Sequence, residues 1–196
     1  ERHTGFPMIA SSGLKGSLRD KAEQEWRENG DVEDIFGSKD AGKPDANASA
    51  LIVTDARILA FPVRSLQKVF VWVTCPMVLK RLKHDVELAE LSNIQVPVVN
   101  DIPRGRALLP SCFTSPLVLE EISLAADTSA HAAIALNDLC PEVDKSRLVI
   151  VSDDDFQYFV CHATQVSARI VLNDRKTSDN LWYEETLPPE TVMYAL

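Results

Sequence analysis

The residues from Ser11 to Arg19, Ser-Ser-Gly-Leu-Lys-Gly-Ser-Leu-Arg, have the composition of an anion site. Small residues at a helix start let another backbone approach closely. The free N–H groups there, with the positive end of the helix dipole, attract phosphate. Lys15 and Arg19 lie four apart, on one side of the helix, where they can flank one anion. The first glycine and the Gly-Lys-Ser/Thr ending of a P-loop are absent. The plainer reading of the same residues is a capped helix with two solvent-facing cations.

Three further groups invite chemistry. His3, in Arg2-His3-Thr4-Gly5, can serve acid–base work or meet phosphate, although a lone histidine is more often a packed or surface side chain. Asp153, Asp154 and Asp155 can hold a divalent cation, but they also fall in the first turn of an expected helix, where negative charge is favourable anyway. Glu184 and Glu185 follow Trp182-Tyr183 on an expected strand. Neighbours on a strand point to opposite faces, so the two carboxylates cannot share one site unless the strand bulges. No Ser-His-Asp or Cys-His arrangement follows from the spacing.

The elements that must carry these residues read as follows. Ser11 or Ser12 caps a helix from Ser11 to Gly30, with Leu14, Leu18, Ala22 and Trp26 on one face and Gly30 as terminator. Residues 37–50 form a polar loop. Leu51–Leu59 and Val69–Thr74 are strands. Pro76 opens a helix that buries Val78, Leu79 and Leu82. Asn93 to Ser115, with Pro97, Pro103 and Pro110, is an extended insertion. Leu117–Leu124 is a strand, Ser129–Leu139 a helix and Leu148–Val151 a buried strand. Ser152 then caps a helix whose Phe156, Phe159, Val160 and Ala163 share a face. Val166–Leu172 is a strand, and Leu181–Glu185 with Thr191–Leu196 is a last pair joined through Pro188-Pro189. Several strands adjoin without a crossover helix. That favours an α+β sandwich with a mixed or antiparallel sheet over a doubly wound one.

Bulk composition fits a soluble globular chain of 196 residues, 45% hydrophobic and 25% charged. No apolar run reaches the roughly 18–20 residues of a membrane span, and no signal peptide is evident. Cys75, Cys112, Cys140 and Cys161 form no C-x-x-C pair and read as isolated, mostly buried thiols of a reducing cytoplasm. A start at Glu1 and a stop at Leu196 inside an apolar run suggest a piece of a longer protein. The net charge of −9 is uneven: residues 1–110 carry 15 basic and 15 acidic side chains, residues 111–196 carry 5 and 14. The first half is therefore where a basic stripe for phosphates is expected.

Six stretches, in order, carry a family resemblance: His3-Thr-Gly-Phe-Pro; Ile9 to Arg19; Asp55-Ala-Arg-Ile-Leu with Phe61-Pro-Val-Arg-Ser; Phe70-Val-Trp-Val-Thr-Cys-Pro; Ser152-Asp-Asp-Asp-Phe; and Leu181-Trp-Tyr-Glu-Glu with Leu187-Pro-Pro-Glu-Thr. Across nearly the whole chain they resemble the backbone subunits of type III-B CRISPR RAMP (Cmr) effector complexes, in the RAMP superfamily. The resemblance implies an RNA-recognition-like (ferredoxin-like) core with insertions, including a thumb-like hairpin expected within residues 93–124. It implies copies stacked in a helical filament along a guide RNA, with other Cmr subunits, no membrane, and a cytoplasmic location. It also implies target-RNA cleavage with a divalent metal, Mg2+ or Mn2+, by in-line attack of a 2′-hydroxyl. The family's catalytic loop aspartate lies just upstream of the His3 segment and is expected before Glu1, along with the family's first strand.

By that resemblance Ser11, Ser12, Gly13, Lys15 and Arg19 match the guide-contacting helix start. His3 follows the catalytic loop, and Glu184 and Glu185 match an acidic pair near the cutting site. Arg64, Lys68, Arg104 and Arg106 complete the expected RNA-binding set. Ala10-Ser11-Ser12-Gly13 stands where the family favours Pro-Gly-Ser-Ser, and Lys68 stands where it has glycine. Two alternatives remain open: a non-cutting RNA-binding scaffold subunit, and an acidic protein-interaction module.

Overall fold

The computed structural model describes residues 1–26, 29–40, 42, 44, 46–127 and 143–196. The chain divides into two units, Pro7–Arg57 with Met193–Leu196, and Glu1–Phe6 with Ile58–Val192.

In the first unit, β1 (Met8–Ile9) pairs antiparallel with Ala56 and Arg57, which open β2 (Ala56–Arg64). Between them stand α1 (Ser11–Glu25) and α2 (Asn29–Phe36). The expected single helix to Gly30 is thus two helices. Trp26 takes an extended backbone conformation that ends α1, and Gly30 lies inside α2. The expected apolar face is also thinner than its periodicity suggests. Ala22 is buried with Val32 and Phe36, and the half-buried Leu51 packs against them, whereas Leu18 and Trp26 are exposed.

The described residues of 37–50 form the expected loop, and Gly37 shapes it. Its φ of +88° and a would-be Cβ only 3.1 Å from the Ser49 backbone nitrogen leave room for no side chain. The strand expected from Leu51 begins only at Ala56. Leu51 instead donates its N–H to Ile35 O at 3.0 Å, and Thr54 to Leu196 O at 2.8 Å.

In the second unit, β2 continues into a mixed sheet. It pairs antiparallel with β3 (Phe70–Thr74), from Phe61 opposite Val73 to Arg64 opposite Phe70. The remaining strands are β4 (Arg106–Leu108), β5 (Leu117–Leu119), β6 (Ile122–Asp127) and β7 (Leu148–Val151). Their order is β2-β3-β7-β4-β6-β5, parallel at β3/β7 and β4/β6 and antiparallel elsewhere.

Helices α3 (Pro76–Leu88) and α4 (Asp153–His162) follow the parallel pair β3 and β7 directly. All four residues of β7 are buried, as its unbroken Leu-Val-Ile-Val predicts for a strand covered on both faces. Phe156 and Phe159 of α4 and Leu79 of α3 fill the core, and Phe6 meets Phe156 edge-on at 5.2 Å. This is the expected α+β class with a mixed sheet, and it is consistent with a ferredoxin-like core.

The stretch 117–124, expected as one strand, folds back on itself. Glu120 takes φ +47° at the turn, so β5 and β6 pair with each other. Residues 93–124 supply β4, β5 and the start of β6 to the sheet. A separate two-stranded sheet is formed by β8 (Gln165–Leu172) and β9 (Ser178–Thr186). The expected pairing of Leu181–Glu185 with Thr191–Leu196 is therefore wrong: β9 pairs with β8, not with β10 (Val192–Tyr194). The cause is local. Asn173 Oδ1 accepts the N–H groups of Arg175 (3.0 Å) and Thr177 (3.1 Å) and makes a tight turn. The helix expected over Ser129–Leu139, and Cys140, lie outside the described residues. Cys75 is buried as expected; Cys112 and Cys161 are exposed.

Candidate nucleic-acid interface

Helix α1 starts without a serine cap. Ala10 is its N-cap residue and makes no side-chain bond. Asp55 takes that role from 44 residues away: its Oδ1 accepts the Ser11 N–H at 2.7 Å. A carboxylate at this end is favoured by the helix dipole, and it supplies the anion the sequence invites. Gly13 and Leu14 donate to Ala10 O at 2.9 and 3.2 Å, which leaves, of the first four, the Ser12 N–H without a partner among the described residues.

The two expected cations are turned toward their own unit. Lys15 Nζ donates to Ser49 Oγ and, at 3.0 Å, to Leu51 O, so it pins the end of the loop. Arg19 Nε donates to Glu23 Oε1 at 2.9 Å. Hydrogen bonds from Lys39 and then Arg19 hold the Glu23 carboxyl below its usual range. Arg19 Nη2 is buried without a partner among the described residues. The open surface belongs instead to the glycines. A Cβ built on Gly13 or Gly16 meets nothing within 4 Å, and residues three apart share a face.

Arg64 sits at a seam. The sheet curls until β5, its last strand, meets the chain just past β2. Ser65 bridges Leu119, Leu66 N–H donates to Val118 O at 3.3 Å, and Glu120 N–H donates to Arg64 O at 3.0 Å. The Arg64 guanidinium grips Glu120 Oε2 through Nη2 (2.6 Å) and Nε (3.1 Å), and this bond raises the affinity of Arg64 for its proton. Lys68 lies over the Phe113 ring, 5.9 Å from its centre. Arg64 thus ties the Glu120 turn to the end of β2, and Lys68 packs on the Phe113 ring.

Arg104 and Arg106 flank Gly105 on an exposed turn. Gly105 has φ +75° and nothing within 4 Å of a would-be Cβ. Its N–H donates to Asp155 Oδ2 at 2.8 Å, and Arg104 Nε lies 3.9 Å from Oδ1 of the same carboxylate. Asp155 is buried and also accepts from Ser152 Oγ at 2.7 Å. Asp153 Oδ1 accepts the Met77 N–H at 2.9 Å and so caps α3. Two of the three aspartates are structural caps and ties. Arg106 is exposed, and no bond of its guanidinium is seen among the described residues.

His3 is exposed, with Nε2 3.8 Å from Glu1 Oε2. Glu1 is held by both Arg81 nitrogens (3.0 and 2.8 Å) and by the Thr4 hydroxyl (2.6 Å). Burial opposes its ionisation, but these bonds outweigh it and keep the carboxyl below the usual range. On the hairpin, Glu184 stands opposite Ser167 and Glu185 opposite Val166, so the two face opposite sides as strand geometry requires. Glu184 accepts from Arg169 Nε at 2.8 Å and from Trp182 Nε1 at 3.3 Å; Glu185 accepts from Thr164 Oγ1 at 2.7 Å.

His3, Glu184 and Glu185 therefore sit in three separate bonding groups. No set of three or more His, Cys, Asp or Glu side chains that could hold a metal occurs among the described residues. The expected Mg2+ or Mn2+ thus finds no complete ligand set among them. Spacing did not reveal Asp55, Glu120, Arg81 or Arg169, because each acts on a residue far along the chain.

Fold and site together define an α+β protein whose exposed polar chemistry is cationic turns, a glycine-faced helix start and an exposed hairpin. A family model, the RAMP superfamily, matches residues 1–195, and this chain belongs to that superfamily. The CRISPR system Cmr endoribonuclease Cmr4 of Pyrococcus furiosus is 34% identical over 214 residues, spanning 100% of this chain and 70% of the relative. A crystal structure of oligomeric Cmr4 from the same organism matches with a TM-score of 0.76 at 30% identity, covering 100% of this chain and 71% of that one. A type III-B Cmr-beta complex bound to cognate target RNA contains a chain that shares the fold, with a TM-score of 0.74 at 20% identity over 98% of this chain and 71% of that one.

Proposed function

We propose that this chain is an RNA-binding backbone subunit of a type III-B CRISPR effector complex. It grips guide RNA, stacks with further copies of itself and with other Cmr subunits in the cytoplasm, and cuts target RNA paired to the guide. Support for the assembly and the cutting comes from its likeness to a Cmr endoribonuclease and to an oligomeric Cmr4.

The observation that carries the RNA half is the start of α1. Glycine inside a helix costs roughly 0.5–1 kcal/mol relative to alanine. Nothing within 4 Å of Gly13 or Gly16 requires that cost for packing. A bare helix face beside the free Ser12 N–H suits close approach of a sugar–phosphate backbone. Lys15 and Arg19 frame this face by holding the loop and the helix. Arg104 and Arg106 supply further phosphate contacts on their exposed turn. Such contacts read no sequence, which suits a subunit that must accept many guides.

Cutting is proposed to depend on Mg2+ or Mn2+. The test is to incubate the assembled complex with matching and non-matching target RNA, with either metal or with EDTA. Cleavage of matching RNA only when metal is present is the expected result. Intact RNA in every lane would overturn the nuclease half and leave a non-cutting scaffold.

A further inference from the structure

The turn from Glu1 to Phe6 is fastened on two sides. From α3, Arg81 meets the Glu1 carboxylate with both terminal nitrogens, at 3.0 and 2.8 Å. From α4, Gln157 Nε2 donates to Thr4 O at 2.8 Å, and the Phe156 ring meets Phe6. Within the turn, the Thr4 hydroxyl donates to Glu1 Oε2 at 2.6 Å and accepts the Phe6 N–H at 3.1 Å. The Glu1 side chain is only 10% exposed and that of Arg81 21%. His3 stands between these anchors with 74% of its side chain exposed. Its Nε2 lies 3.8 Å from Glu1 Oε2, and its other ring nitrogen has no partner among the described residues. An imidazole with one nitrogen toward a carboxylate, itself held by a third group, is the arrangement of an oriented proton acceptor.

We infer that His3 takes the proton of the attacking 2′-hydroxyl of target RNA, and that Arg81 is a positioning residue acting on His3 through Glu1. This rests on the RNA-cutting reading given above. In the step, the 2′-hydroxyl proton passes to the free ring nitrogen, the O2′–P bond forms and the P–O5′ bond breaks. The departing 5′-oxygen takes a proton from water, and the imidazolium returns its own to solvent. The products are a 2′,3′-cyclic phosphate and a 5′-hydroxyl. Imidazoles as a class exchange protons near neutral pH, where this step must run. A guanidinium fork fixes a carboxylate in plane and position, where an ammonium would let it turn. Glu1 stays ionised because its bonds from Arg81 and Thr4 outweigh its burial. It can therefore orient the ring and support the charge the ring gains. The charged groups around the ring are Glu1, its neighbour Arg2, and Arg81 behind Glu1. Arg81 offsets the Glu1 charge, so the ring is not locked in its protonated form.

The experiment times single-turnover cleavage of matching target RNA by the assembled complex, built with full-length protein, on both sides of neutral pH. Target affinity and the thermal midpoint are measured beside it. The variants are His3→Ala, Arg81→Gln and Arg81→Lys. His3→Ala should cut about 100-fold more slowly and lose the acid limb of the pH–rate profile, with affinity and midpoint kept. Arg81→Gln should cut about tenfold more slowly, as a misplaced catalytic group does. Its acid limb should also move to higher pH, because the Glu1 charge, no longer offset, favours the protonated ring. Arg81→Lys keeps the charge without the fork, so it should hold the parent's limb and recover part of the rate. Wild-type rate and profile in His3→Ala overturn the inference alone. A lowered midpoint in Arg81→Gln at the parent's rate and acid limb overturns the role of Arg81 and makes the pair a structural tie. A wild-type complex that leaves matching RNA intact overturns this inference together with the cutting reading.

Discussion

The Asp55 carboxylate accepts the Ser11 N–H at 2.7 Å, so the first donor of α1 already faces an anion of its own chain. That bond fixes the helix start at the first residues of β2, and it moves the open part of the anion site one turn along, to Ser12, Gly13 and Gly16.

Removing this remote cap should loosen α1. Asp55→Ala is expected to cost about 1 kcal/mol in chemical denaturation, as lost helix caps do. Asp55→Asn keeps an acceptor oxygen and should lose less. Equal losses in the two variants would mean that the charge, not the hydrogen bond, matters.

The glycine face gives a prediction of opposite sign. Gly13→Ala and Gly16→Ala meet no neighbour, so each should raise stability by about 0.5–1 kcal/mol, read as a higher unfolding midpoint. A drop in midpoint would show that the face is packed.

At the seam, Arg64→Ala and Glu120→Ala should lower the thermal midpoint by similar amounts. The double variant should be no worse than either single one, because both remove the same bond. Additive losses would separate the two residues.

The Glu1–Arg81 pair predicts a pH dependence. The folded carboxyl lies below its unfolded value of 4.5, so its contribution is complete above that value and is lost as pH falls through the lower, folded one. Arg81→Gln should therefore move acid unfolding to higher pH. An acid transition identical to that of the parent would contradict the pairing.

What the sequence makes legible is local. Leu148-Val-Ile-Val reads as a buried strand and Ser152 as a cap because each signal lies within a few residues, and the Ser152 hydroxyl does accept the Asp155 N–H. The opposite faces of Glu184 and Glu185 follow from strand geometry alone. The partners of Ser11 and Arg64 stand 44 and 56 positions away, beyond any periodicity, so their cations and donors look free when they are bound. The turn at Glu120 is hidden for another reason: a glutamate at positive φ carries none of the glycine or asparagine that announces a turn.

Guide RNA affinity of Gly16→Leu, measured in the assembled complex over a salt series beside a thermal melt of the same variant, tests the glycine face most directly. Gly16 is exposed and a Cβ there meets nothing within 4 Å, so the melt should hold, while affinity should fall by about tenfold or more for guides of any sequence. An unchanged affinity with an unchanged melt would contradict the placement of guide RNA on the start of α1.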